Sequence, residues 1–204
     1  MGSAFDLLFA ERHPMLPAAA LAAALFALGP VQTSAQDGPI VTGDRTGLES
    51  ASELRLREAL AYSNPLPRGA PTEDYPLVAW CDALVSGHVQ VGETLTDRNA
   101  EDLEIIRLGK LEAADFRSAL SAATPRQSAA TRAAARQAAA AATARWTPLL
   151  AQTDELARSQ SFGLFFGLPG RCEHAARRIR ANITTPPATL AEVGLRSEGE
   201  DPVD

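Results

Sequence analysis

Apolar side chains recur from Leu77 at alternating steps of four and three: Leu77, Cys81, Leu84, His88, Val91 and Leu95. That spacing keeps one stripe of a helix apolar over nearly three heptads, so it predicts a helix whose buried face carries Cys81 and His88. Gly87 and Gly92 fall inside the same run. Glycine weakens a helix, and these two are expected to let a neighbouring element approach closely. The pattern reappears near the other end of the chain in Cys172, Ala176, Ile179 and Ile183, at steps of four, three and four. It predicts a last helix from Pro169 or Gly170 to about Asn182, again with a cysteine on its apolar stripe.

Between and before these two helices the same reading places three more. Leu54, Leu56, Ala59 and Leu60 predict a short helix over residues 52–63 with Ser52 as its cap, stopped by the proline-rich "NPLPRGAPTEDYP". Leu103, Ile106, Leu108, Phe116 and Leu120 predict a helix over residues 99–122. Asn99 is its natural cap, and the acids of its first turns suit the helix dipole. Thr124 and Pro125 start a fourth helix whose body, "SAATRAAARQAAAAATARW", is close to an ideal helix former. Its alanines bury little area, so it either packs very closely on a partner or protrudes. Pro148 kinks or ends it, and "LLAQTDELARSQS" resumes a helical pattern. No strand pattern appears between residues 36 and 204. The expected fold is all-α: a small bundle of about five helices over residues 51–183.

The two ends read differently. Residues 18–28, "AAALAAALFAL", are uncharged, and Thr33, Ser34 and Ala35 supply small residues just beyond. Roughly 20 apolar residues are needed to span a bilayer, so this shorter run reads as a secretory signal over residues 1–35, cleaved near Ala35. The start is Met1 or Met15, and neither version has the basic flank typical of such signals. No cysteine follows the run, which argues against a lipid anchor at this terminus. Residues 36–50 read as a flexible leader, and residues 184–204, acidic and proline-bearing, as a disordered tail. The expected location is the periplasm or the medium, with no stable transmembrane anchor after cleavage. Cleavage leaves roughly 170 of the 204 residues, one domain's worth. The net charge of −6 argues against nucleic acid as a partner. Lys110 is the only lysine against many arginines, a bias that reflects base composition more than function.

Cys172, Glu173 and His174 stand side by side, and three chemistries compete for them. Two cysteines on the apolar stripes of two helices, in an exported chain, fit a disulfide. The Cys81–Cys172 bridge would close a loop worth about 4–5 kcal/mol in the chain-entropy model. A nucleophilic Cys172 would need a base, but His174 lies two residues on, about 200° around the helix. A metal or haem site would recruit His88, with His174 as a possible second ligand. Cys81 and His88 are separated by a rise of about 10.5 Å, too far for one zinc on a continuous helix, and CxxC, HxxxH and CxxCH are absent. His88 is expected to be a core histidine. No GxSxG, HExxH or phosphate-binding glycine loop supports an enzyme, and no cofactor is implied.

The segments "YPLVAWCDALVSGH" and "LPGRCEHAARRI" together resemble paired segments of small exported proteins of uncharacterised function from alphaproteobacteria. The resemblance covers those two helices. It implies that Trp80, Cys81, His88 and the stretch from Pro169 to His174 belong to one module, and it implies no activity, substrate or cofactor.

Two surface features carry candidate function. No acid falls between Asp115 and Asp154, while Arg117, Arg126, Arg132, Arg136 and Arg145 do. This basic stretch is the candidate contact for an anionic envelope component or a protein partner, or for the acidic tail folding back. Phe162, Phe165 and Phe166 form an aromatic cluster, expected either to plug the end of the core or to anchor a partner. The resulting expectation is an exported, disulfide-held helical module acting by binding or as a structural element, with a metal- or haem-binding protein as the alternative.

Overall fold

A computed structural model describes residues 49–195 except Phe166. Six α-helices follow one another: α1 (Ala51–Ser63), α2 (Asp74–Thr94), α3 (Ala100–Ala123), α4 (Ala129–Leu150), α5 (Glu155–Gly163) and α6 (Arg171–Arg180). The described residues contain no strand, so the fold is all-α. The sixth helix arises because Pro148 sits in the last turn of α4, which ends at Leu150. Asp154 then opens α5 by accepting hydrogen bonds from the N–H groups of Leu156 and Ala157.

α2 is the axis of the bundle and packs on α3, α4, α5 and α6. Leu77, Cys81, Leu84, His88, Val91 and Leu95, the whole predicted seam, are buried. The helix begins at Asp74, ahead of the predicted Leu77, because Pro76 falls in its first turn, where a missing N–H costs nothing. Its glycines do what close packing requires. A Cβ on Gly87 would lie 2.0 Å from Trp146 Cδ1 of α4, and one on Gly92 would lie 2.5 Å from Phe162 Cε2 of α5 and 2.8 Å from Ile106 Cγ1 of α3. Ala135, Ala138, Ala142 and Trp146 form the buried face of α4. The alanine-rich helix therefore lies flat on α2 and does not protrude.

Cys81 and Cys172 are joined in a disulfide, with Cα atoms 6.2 Å apart and a separation of 91 in sequence. Neither sulfur is free, and both residues are fully buried. The bridge ties the middle of α2 to the first turn of α6.

Several local expectations are corrected. The cap of α1 is Ser50, not Ser52: Ser50 Oγ accepts from the Glu53 N–H and Glu53 accepts from the Ser50 N–H, a reciprocal box that a Ser-x-x-Glu spacing allows. Asn99 caps α3 in the same way with Asp102. Thr124 and Pro125 belong to a 3-10 turn (Thr124–Arg126), and α4 starts after Ser128, whose hydroxyl accepts from the Thr131 N–H. Leu103 is exposed, as is Leu111. α6 stops at Arg180 because Asn182 takes a left-handed φ of 55°, which leaves Ile183 half-buried beyond the helix. Beyond it, within the segment read as a tail, a 3-10 turn (Ala191–Val193) lies against α1. The predicted signal and all of the leader except Glu49 and Ser50 lie outside the described residues, as do residues 196–204. None of the described helices is long and apolar enough to cross a membrane.

Candidate functional site

The chemistry-bearing side chains gather in two places. The first is the aromatic box around His88. Gly87 lets Trp146 in beside it, α5 delivers Phe162, and Phe165 follows just beyond the end of α5. The His88 ring stacks on Phe162 with centroids 4.4 Å apart, lies 4.4 Å from Phe165 and 5.9 Å from Trp146. His88 Nε2 stands 2.9 Å from the Phe162 carbonyl oxygen. A carbonyl only accepts, so Nε2 carries the proton and donates. Burial lowers the His88 pKa, opposed by that carbonyl, which keeps the ring neutral. His88 is thus a core histidine with its donor satisfied. Phe162 is buried in the core and Phe165, half-buried, packs against it. Phe166 lies outside the described residues.

The second is a buried ionic junction where α1, α2 and α6 meet. Arg178, 5% exposed, donates from Nη1 to Glu58 Oε1 at 2.7 Å and from Nε to Asp74 Oδ2 at 3.0 Å. Its Nη2 donates to the Thr185 carbonyl. Arg177 Nη2 donates to the other Glu58 oxygen at 2.9 Å. Tyr62 donates to Asp74 Oδ1 at 2.6 Å and lies under the Arg171 guanidinium, 4.3 Å from ring centroid to Cζ. Burial, then the hydrogen bond to Asp74, push the Tyr62 phenol well above its ordinary range, so it stays a donor. Burial works against the Arg178 charge, and the bonds to Glu58 and Asp74 outweigh it, leaving its pKa raised. His174 is buried beside this junction, and its Nδ1 has no partner.

Apolar spacing does not reveal Glu58, Asp74, Tyr62 and Arg178 as members of one junction. The available signal was a pair of misplaced charges. Glu58 shares a stripe of α1 with Leu54 and Tyr62 (steps of four), and Arg178 sits beside Ile179 and one turn from Ala175 on α6. A lone acid in one apolar stripe and a lone base in another are natural partners when buried.

The basic stretch does not converge. Arg126 donates to the Ile179 carbonyl at 2.8 Å and so closes the end of α6. Arg132 donates to the Gln127 carbonyl, Arg117 to that of Ala113, and Arg145 to that of Arg68 while stacking over Trp80 at 5.3 Å. Arg132, Arg136 and Arg145 all come from α4, and Arg136 is exposed.

Chemically, both sulfurs are consumed in the bridge and cannot serve as nucleophile or metal ligand. Among the described residues no three His, Cys, Asp or Glu side chains are placed to hold a metal ion. Open grooves among the described residues include one of about 350 Å³ between the α1–α2 connection and residues 167–171, and one of about 270 Å³ at the start of α2 beside Arg178. Comparison of the chain with protein-family models, with curated proteins and with solved structures finds no match in any of the three.

Proposed function

We propose that the chain is an exported, periplasmic helical module that acts by binding, not by catalysis, with its bundle fastened by the Cys81–Cys172 bridge. The observation that carries this reading is the disulfide itself. It is buried where α2 meets α6 and leaves no free cysteine. Bridges of this kind persist in oxidising compartments and are rare in the reducing cytosol. The uncharged run at residues 18–28, followed by small residues up to Ala35, supports export on separate grounds. Binding is favoured over catalysis because the residues that could do chemistry are spent on packing: His88 on an aromatic box and a carbonyl, Arg178 and Glu58 on each other. The contact surface is the face of α4 that Arg132 and the exposed Arg136 share, which suits an anionic component of the envelope.

Non-reducing mass spectrometry of chain recovered from separated periplasmic and cytoplasmic fractions tests the reading. The expected result is periplasmic chain that begins near Gln36 and lacks two hydrogens relative to its reduced form. Full-length chain with two thiols in the cytoplasm overturns it. The binding arm uses heparin as an anionic polymer probe: retention that falls steeply with salt, and falls further in Arg136→Glu, is expected.

A further inference from the structure

α1 is held to the bundle in an unusual way. Its buried residues are Glu58 and Ala59, whereas Leu56 and Leu60 are 36% and 43% exposed. Its packing partners are α6 and the 3-10 turn Ala191–Val193. The attachment to α6 is ionic: Glu58 bridges Arg177 and Arg178, and Arg57 Nη2 reaches Glu173 Oε1 at 3.2 Å.

His174 lies under this attachment. It shares a face of α6 with Arg177 and Arg178, three and four residues on, the same two arginines that hold Glu58. It is 4% exposed, and Nδ1 is enclosed without an acceptor. The charged groups acting on it are Glu173 and Arg177 of α6 and Arg57 and Glu58 of α1. From α3, Glu112 acts on Glu173. From α2, Asp74 is taken by Arg178 and Tyr62.

A neutral imidazole fits this place because the bare Nδ1 lone pair needs no donor as strictly as a buried N–H needs an acceptor. A protonated ring donates from both nitrogens. The new Nδ1–H would find no acceptor, and its charge would join Arg57, Arg177 and Arg178 around the carboxylates of Glu58 and Glu173. Water can satisfy both needs once α1 moves aside. α1 can do so without breaking the covalent link between α2 and α6, giving up its Tyr62–Asp74 and Glu58–Arg178 bonds to water.

We propose that α1 is a proton-released latch: protonation of His174 unseats α1 from α6 while the disulfide-linked bundle stays folded. Burial is the main reason the docked state disfavours the His174 proton, with Glu173 opposing and Arg57 and Arg177 reinforcing. Docking is therefore complete above the ordinary imidazole value of 6.5 and is lost as pH falls through the lowered one.

Hydrogen exchange of the intact chain, corrected for intrinsic exchange, tests this between about pH 7.5 and pH 5. Peptides of α1 are expected to lose protection as the pH falls. Peptides of α2 keep theirs. His174→Gln is expected to hold α1 protected at the lower pH, and His88→Phe to leave the α1 transition in place. Constant α1 protection, loss in step with α2, or an unchanged response in His174→Gln overturns the proposal. If His174→Gln fails to dock α1 at any pH, the wild-type chain decides. NMR titration is expected to give α1 amides the same midpoint as the His174 ring, and separate midpoints overturn the latch.

Discussion

The α2–α4 contact and the α1–α6 contact sit in one small bundle and are built on opposite principles. The first is shaped: Gly87 receives Trp146, Ala135, Ala138 and Ala142 form the buried face of α4, and the one guanidinium described there, that of Arg145, stacks over Trp80. The second is charged and sparse: Glu58, Arg177, Arg178, Asp74 and Tyr62 satisfy one another around few apolar atoms. A shaped contact fails when an atom is added, since packed interiors have no room to yield. A charged contact fails when a partner is removed, because the remaining ion is stranded away from water. The comparison thus separates two kinds of sensitivity within one fold.

The largest effect belongs to the bridge that spans both regions. Cys81→Ser with Cys172→Ser is expected to lower unfolding free energy by about 4–5 kcal/mol in urea titrations, the chain-entropy value for so long a loop. Glu58→Ala is expected to cost about 3–5 kcal/mol by stranding Arg178, whereas Glu58→Ala combined with Arg178→Met should cost clearly less than the sum. Simple additivity would mean that the junction is not a coupled unit. Gly87→Ala should cost about 1–3 kcal/mol through overpacking against Trp146, read as a lowered Tm, and Trp146→Leu in the same chain should relieve part of it. An unchanged Tm for Gly87→Ala would break the shaped half of the comparison.

Acid adds a smaller effect with a definite sign. Burial lowers the His88 pKa in the folded state, with the Phe162 carbonyl opposing. Its contribution to stability is therefore full above 6.5 and is lost as pH falls through the lowered folded value. His88→Phe should flatten that part of the stability-against-pH curve, whatever it does to stability at neutral pH. Last and smallest, Leu111→Gln on the exposed side of α3 should shift stability by no more than about 0.5 kcal/mol.

The shaped contact was legible in the sequence, and the charged one was not. The four-three spacing from Leu77 to Leu95 placed six side chains in the core, Cys81 and His88 among them, because a helix converts period directly into a face. The glycines announced close approach, whereas the alanines of α4 fitted close packing and protrusion equally. In α1 the same reading placed Leu56 and Leu60 with the apolar set, yet the bundle buries Glu58 and leaves both leucines outside. A hydropathy pattern scores each residue alone, whereas Glu58 is tolerable inside only because Arg178, 120 positions away, is inside too. Such a pairing is a property of the folded chain. The bridge was inferred from two cysteines on two seams, but the orphaned Nδ1 of His174 depends on what α1 lays across it, which no spacing reports.

The sulfur link also divides the molecule topologically. Everything from Cys81 to Cys172, including α3, α4 and α5, lies inside a covalent ring, whereas α1 lies on a free arm outside it. A protease that nicks the connections at residues 95–99 or 151–154 opens the ring but releases nothing, and the cut chain migrates as one species until a reductant is added. A nick between α1 and α2 leaves the arm held by its noncovalent contacts alone. Of the six helices, the first is the one that a single cut in a connection between helices parts covalently from the rest.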